Sequence, residues 1–267
     1  KQYVSFEKTR LIVFWSKNPE PLIPFLPQLD DLNIHYLFQF TLNDYESEQL
    51  EPKLPALARR IETFKKLSNL IGRERVLWRF DPMILSEKIN VHNLLEKIGN
   101  VGNCIYPYTS RLTISFLSLY PKVVKNLKRA QFASIDPDES VVKRVAEGLL
   151  DLSHRWGIEV VSCAENHDMS RYGIRAGRCI DPQLIIKLFS NDPSLIHFFE
   201  QYGKQDLFGL DYNTLGVRLK DSGQRKLCGC MISKDVGRYN TCAHNCIYCY
   251  ANTSPDRVVI EDIFAAP

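Results

Sequence analysis

Val76-Leu-Trp-Arg-Phe-Asp81, stopped by Pro82, is the stretch on which the fold turns. Its first half is apolar, and its second half carries Arg79 and Asp81, two residues apart. A buried parallel strand reads as a short continuous apolar run, and spacing by two sets both polar side chains on one face of it. A buried strand rarely carries Arg and Asp without a partner or a purpose. The two side chains are also near enough in sequence to serve partly as each other's partner.

Working outward, four more runs share this shape: Arg10-Leu-Ile-Val-Phe-Trp-Ser16, Ile34-His-Tyr-Leu-Phe-Gln-Phe-Thr41, Leu112-Thr-Ile-Ser-Phe-Leu117 and Gly157-Ile-Glu-Val-Val-Ser-Cys163. Three of them again gain polar residues at or just past the carboxyl end: Gln39 and Thr41, Thr113 and Ser115, Cys163 and Glu165. Between the strands lie helical patterns. Leu54, Leu57, Ala58, Ile61, Phe64 and Leu67 recur at helical spacing, with Arg59, Arg60, Lys65 and Lys66 mostly on the outer side and Gly72 at the end. Residues 86–99 form a second pattern. A third opens at Asp136-Pro-Asp-Glu139, with Pro137 expected at the first helical position, and runs to Trp156. Asp181-Pro182 and Asp192-Pro193 open further helices. Alternating strands and helices imply a parallel sheet, open or closed, and the polar carboxyl ends favour a β/α barrel, whose chemistry is done on that rim.

The chain has 267 residues, 45% of them hydrophobic and 24% charged, enough to bury a core without staples; this excludes a disordered or collagen-like chain. A net charge of +3 is too mild to announce nucleic acid as a partner. The longest apolar runs are far too short to cross a bilayer as a helix, so no membrane partner is expected. The chain starts at Lys1 with neither Met nor a leader, and the expectation is a missing amino-terminal segment of a cytoplasmic protein.

Eight cysteines are unevenly spread, and five of them, Cys228, Cys230, Cys242, Cys246 and Cys249, crowd into one stretch near the end. Such tight spacings in a leaderless chain read as metal ligands rather than disulfides. Cys242-Ala-His-Asn-Cys246-Ile-Tyr-Cys249 is a loop whose three thiolates can hold three irons of a [4Fe-4S] cube and leave the fourth iron open. Zinc, by contrast, normally closes with four ligands. The spacing and the aromatic Tyr248 resemble the signature of radical S-adenosylmethionine (SAM) enzymes. In that superfamily the open iron binds SAM, and electron transfer cleaves it to a 5′-deoxyadenosyl radical.

Over nearly its whole length the chain resembles the DUF1848 family. The resemblance rests on Phe14-Trp-Ser-Lys-Asn-Pro-Glu-Pro21, Trp78-Arg-Phe-Asp-Pro82, Ser162-Cys-Ala-Glu165, Cys179-Ile-Asp181, and Cys228-Gly-Cys230 through Tyr250-Ala-Asn252. Family members usually begin with a further Ser- and Arg-rich segment. The resemblance implies a partial (β/α)6 TIM-like barrel of radical-SAM type over residues 1–205, and a cysteine-rich metal-binding tail, residues 206–267, covering the carboxyl rim. Two features depart from most radical SAM enzymes. The motif follows the last strand rather than the first, and no glycine-rich acidic motif for the SAM amine is present.

On this reading Cys242, Cys246 and Cys249 hold the cluster. Lys17, Arg79, Asp81 and Glu165 line the cavity as catalytic candidates, and Asn18, Gln39 and Tyr248 are cofactor contacts. An electron donor and a small-molecule or other substrate are the implied partners; nucleic acid stays open through the motif's likeness to DNA-photoproduct lyases. Cys163, Cys179, Cys228 and Cys230 are candidates for a second [4Fe-4S] cluster or a zinc site. They could instead lend a fourth ligand to the first cluster, and Cys163 and Cys179 could be buried apolar packing, as expected of Cys104. Tyr239, Tyr248 and Tyr250 are expected to shield the cluster, His244 to stand at its solvent side, and His167 to lie near Glu165. The rival reading is a non-catalytic protein with a structural or redox-sensing metal. A third is an acid–base enzyme using Glu165 and Asp81, with the metal structural.

Overall fold

A computed structural model describes residues 6–202, 205–206, 209–210, 218–252 and 258. The five expected strands are all present: β1 (Leu11–Ser16), β2 (His35–Thr41), β3 (Val76–Met83), β5 (Arg111–Phe116) and β7 (Glu159–Ser162). They make one parallel sheet in the order β1-β2-β3-β5-β7, so sheet neighbours follow one another along the chain. Two short strands, β4 (Leu85–Ser86) and β6 (Ser134–Ile135), pair antiparallel beside it.

The helices on one side of the sheet are α1 (Leu26–Asp31), α2 (Leu57–Ile71), α3 (Val91–Ile105) and α5 (Glu139–Trp156); the short α4 (Pro121–Arg129) follows β5. Their buried residues join Phe38, Phe40, Trp78, Phe80, Leu112 and Ile114 in one apolar core. The alternate residues of the same strands, Leu37 and Leu77, belong to a second core with α6 (Pro182–Leu188), α7 (Pro193–Tyr202) and Met231. A parallel sheet covered on both faces carries near-continuous apolar strands, and β2 and β3 are buried almost throughout. Because side chains alternate, Gln39, Arg79 and Asp81 share the face of Leu37 and Leu77, under α6, α7 and the tail.

Where the chain enters its helices, local chemistry sets the starts. Asn90 and Asn93 form a reciprocal capping box, so α3 begins at Val91 and runs to Ile105, later and longer than the pattern over 86–99 implies. Asp138, not Asp136, caps α5 through Val141 N, which leaves Pro137 outside the helix and Glu139 at its start. α3 and α5 approach closely at Gly102, where an added Cβ would stand 2.1 Å from the Trp156 ring.

Three further expectations change. Among the described residues the sheet is not closed and has five strands rather than six: β1 and β7 are its edges, and β7 is extended only by an isolated bridge from Ser162 to Ala176. β3 does not stop at Pro82 but reaches Met83, with a register shift between Phe80 and Met83 that lets a residue without an N–H sit in the strand. Arg60 faces inward and is 1% exposed, since it shares its helix face with Phe64 and Leu67. The boundary expected between 205 and 206 falls within a short strand, β8 (Gln205–Asp206), paired with β9 (Gly209–Leu210). Residues 203–204, 207–208 and 211–217 beside it, and 253–257 and 259–267 of the tail, lie outside the described residues.

Candidate functional site

The polar carboxyl ends of the strands meet the tail in two adjoining groups. The first is built around Glu51, whose side chain is 2% exposed. Lys17, just after β1, donates from Nζ to Glu51 Oε1 at 2.8 Å, and Arg60 Nη1 reaches Oε2 at 3.3 Å. The Tyr248 hydroxyl donates to Glu51 Oε1 and accepts from Lys17 Nζ at 2.9 Å and Asn43 Nδ2 at 3.1 Å. Burial alone would raise the Glu51 carboxyl; the charge and hydrogen bond of Lys17 outweigh it and hold the group below its ordinary value. Burial and the Glu51 charge push the Tyr248 phenol well up, so it stays a neutral donor. Backbone bonds from Ile247 N to Leu50 O at 2.9 Å and Lys53 N to His244 O at 3.3 Å seat the rest of the loop.

Asn43 joins this group to the second. Fully buried, it donates from Nδ2 to the Asp81 carbonyl at 3.1 Å and accepts from Asp81 N at 3.0 Å. Arg79 Nη2 donates to Asp81 Oδ2 at 2.5 Å, and Ser115 Oγ to Asp81 Oδ1 at 2.5 Å. Arg79 Nη1 reaches Cys179 Sγ at 2.8 Å and Gln39 Oε1 at 3.5 Å, while Gln39 Nε2 donates to the Cys179 carbonyl at 2.7 Å. Burial works against the charge of both Arg79 and Asp81. For Arg79 the Cys179 sulfur and Asp81 outweigh it, and for Asp81 the guanidinium does, so both stay ionised.

The second group ends in thiols. Cys163 and Cys179 lie with sulfurs 3.0 Å apart, and Cys230 Sγ accepts from Cys179 N at 3.2 Å. Cys179 and Cys230 interact through their side chains, as do Cys230 and Cys228, and all four residues are buried.

Of the motif thiols, Cys242 is exposed, and Cys246 and Cys249 are half-buried. Burial pushes the Cys246 thiol up to about 12. Asn252 Nδ2 donates to the Cys242 carbonyl at 2.7 Å, and Asn126 Nδ2, on α4, to the Cys249 carbonyl at 3.2 Å. Beside these bonds, the buried oxygens Asn245 Oδ1 and Asn252 Oδ1 have no hydrogen-bond partner. Among the described residues no group of three or more His, Cys, Asp or Glu side chains is arranged, as it stands, to hold a metal ion.

Most sequence candidates thus converge, namely Lys17, Gln39, Arg79, Asp81 and Tyr248, with Cys163, Cys179, Cys228 and Cys230 alongside. Others do not. Glu165 accepts from Phe116 N at 2.7 Å and from Asn166 N at 2.8 Å, at the end of β5. Asn18 is fixed through its own N–H to Ser16 Oγ at 3.0 Å. His167 sits edge-on to Phe116 and lies beside Glu165 as expected, its backbone N–H reaching Oε1 at 3.3 Å, and burial lowers the His244 pKa. Tyr239 and Tyr250 are 63% and 59% exposed, one under Lys122 and the other against Tyr120, so only Tyr248 is a buried shield. Cys104 is exposed on α3 instead of packed.

Sequence reasoning missed Asn43, Glu51 and Arg60. Arg60 alone left a signal, standing four residues before Phe64 on the apolar stripe. Two surface hollows of about 350 and 390 Å³ lie elsewhere, one beside Glu48 and Lys97 and the other at Leu127 and Phe132. No helix among the described residues is long and apolar enough to cross a membrane.

A family model described as "Domain of unknown function (DUF1848)" matches residues 1–251. No curated protein and no solved structure matches the chain.

Proposed function

We propose, from the premise that the chain belongs to the DUF1848 family, that it is an iron–sulfur enzyme of radical-SAM type. The observation that carries this reading is the tether of Tyr248 to Lys17, Asn43 and Glu51, which holds the three-cysteine loop at the carboxyl ends of β1 and β2. Five parallel strands in chain order, wound with α1, α2, α3 and α5 on one side, support a partial β/α barrel as its frame.

In this reading Cys242, Cys246 and Cys249 hold the [4Fe-4S] cluster. The donor set suits it: three thiols from one tight loop, beside two buried amide oxygens that lack partners. Bound there, a cluster would supply one-electron reduction of SAM, given an external electron donor. The chain's own residues bind and orient. Lys17 donates to Tyr248 and Glu51 at the head of the loop, while Arg79 and Asp81 offer one donor fork and one carboxylate for a small polar substrate. The buried Tyr248 ring keeps water from the inner side of the loop. Reduced thiols suit a reducing compartment such as the cytoplasm.

The test is anaerobic reconstitution of the 267-residue chain with iron and sulfide, followed by EPR of the reduced protein with and without SAM. A [4Fe-4S] signal that shifts on SAM addition, and is lost in Cys246→Ala, is expected. A cluster blind to SAM overturns the catalytic reading and favours a structural or redox-sensing metal, to which the buried thiols beside Arg79 also lend support.

A further inference from the structure

We infer that Cys163, Cys179, Cys228 and Cys230 form a closed tetrathiolate site for a single zinc ion, separate from the Cys242–Cys249 loop and independent of the reading given to that loop. Three segments distant in sequence bring these thiols together. Cys163 follows β7 and is held by its N–H to Ile114 O at 2.8 Å. Cys179 is fixed by the Gln39 amide, and Cys228-Gly-Cys230 is docked by Met231 N to Ile180 O at 3.2 Å.

The chain around Cys228 and Cys230 has no helix and only an isolated bridge, Lys220 to Met231, yet both cysteines are 6% exposed. Local backbone bonds such as Asp221 N to Cys230 O at 3.1 Å and packing of Met231 offset part of the entropy of ordering this segment, and a metal cross-link to β7 would add to them. Nor does the surrounding chemistry suit four apolar thiols. Arg79 donates to Cys179 Sγ at 2.8 Å, and the Cys179 N–H to Cys230 Sγ at 3.2 Å. The Arg178 side chain lies against Gly229, between the last two cysteines, where an added Cβ would meet its Nε at 3.3 Å. Four thiolates around a dication carry two net negative charges, which two arginines and an N–H donor offset.

The Cys163–Cys179 spacing favours a single ion over a cube. With zinc–sulfur bonds of about 2.3 Å, neighbouring thiolates of a tetrahedral site stand about 3.8 Å apart. The Cys163 and Cys179 sulfurs, at 3.0 Å, need to part by only about 0.8 Å. An iron–sulfur cube sets each thiolate on a different iron, and therefore further apart. On binding, each thiol gives up its proton to solvent and no electrons move.

Metal and sulfide counting on the 267-residue chain tests this. About one zinc per chain is expected in the wild type. It should persist in the Cys242→Ala/Cys246→Ala/Cys249→Ala variant and be lost in Cys228→Ser/Cys230→Ser. Loss of zinc from the triple variant, full zinc in the double variant, iron with sulfide in its place, or a Cys163–Cys179 disulfide in freshly purified protein each overturns the assignment. Should the double variant not fold, cobalt(II) exchanged into the triple variant decides: the intense visible absorption of a tetrahedral tetrathiolate supports the site, and its absence refutes it. A loop cluster that ignores SAM leaves this result untouched, so the two readings fail separately.

Discussion

The Tyr248 hydroxyl donates to the Glu51 carboxylate across 197 residues of sequence, and both side chains are buried. This bond ties the cysteine loop to the sheet, because Glu51 is in turn held by Lys17 from the end of β1 and by Arg60 from α2.

Tyr248→Phe removes the hydroxyl and leaves Glu51 with its two cations. A lost buried hydrogen bond to a charged group costs about 1.5–3 kcal/mol. The expected outcome is a loss of stability of that size, read as a lower urea midpoint, with faster backbone hydrogen exchange over residues 242–252 and little change in β3. Equal exchange in the loop would show that Tyr248 is not its anchor.

Glu51→Gln leaves Lys17 and Arg60 without their carboxylate, and breaking a buried ion pair costs about 3–5 kcal/mol. The same variant should alter the acid response. Glu51 and Asp81 both titrate lower in the folded chain, so their contribution is fully present above the ordinary carboxylate range and is lost as pH falls through their depressed values. Stability of the wild type should therefore drop below about pH 4. Urea midpoints measured down to that region should fall less steeply in Glu51→Gln.

Arg79→Met strips Asp81, Gln39 and Cys179 of a shared donor. Because the Asp81 side chain is 26% exposed and partly solvated, a loss of about 2–3 kcal/mol is expected rather than the full cost of a buried break. Arg79→Lys keeps the charge but not the fork, and should fall between the two in thermal unfolding.

Thiol labelling separates the two cysteine groups. In the reduced, native chain Cys104 and Cys242 are exposed and should react first with iodoacetamide, while Cys163, Cys179, Cys228 and Cys230 react last. Peptide mapping reads the order. Reconstitution with iron and sulfide should protect Cys242, Cys246 and Cys249 together; protection of one alone would speak against a shared cluster.

Gly102→Ala sets a methyl 2.1 Å from the Trp156 ring, and helix backbone cannot easily retreat. Overpacking of this kind costs about 1–3 kcal/mol, visible as a lower midpoint of thermal unfolding. An unchanged midpoint would mean that α3 and α5 can move apart freely.

The strands were readable because each is a compact apolar run, and the polar pairs at their ends marked the correct face: Gln39, Arg79 and Asp81 all lie on it. What the residues did not disclose was long-range partnership. Glu51 is one acid among many until Lys17, Arg60 and Tyr248 surround it, and the bond from the Phe116 N–H to Glu165 has no counterpart in the local pattern. α4 escaped notice because its nine residues bury only Val123 and Leu127. Whether the sheet closes depends on what its edge strands meet, which no local pattern encodes.

The in-order sheet also bears on how the protein is made. Domains form from the amino end as the chain is synthesised, and β1, β2, β3, β5 and β7 can each pair with the strand just before it. Cys228 through Cys249 therefore leave the ribosome after their platform is complete. The loop's docking partners, Lys17, Asn43 and Glu51, already stand in place by then. Docking of the cysteine loop becomes a finishing event, on a sheet that the nascent chain has already raised.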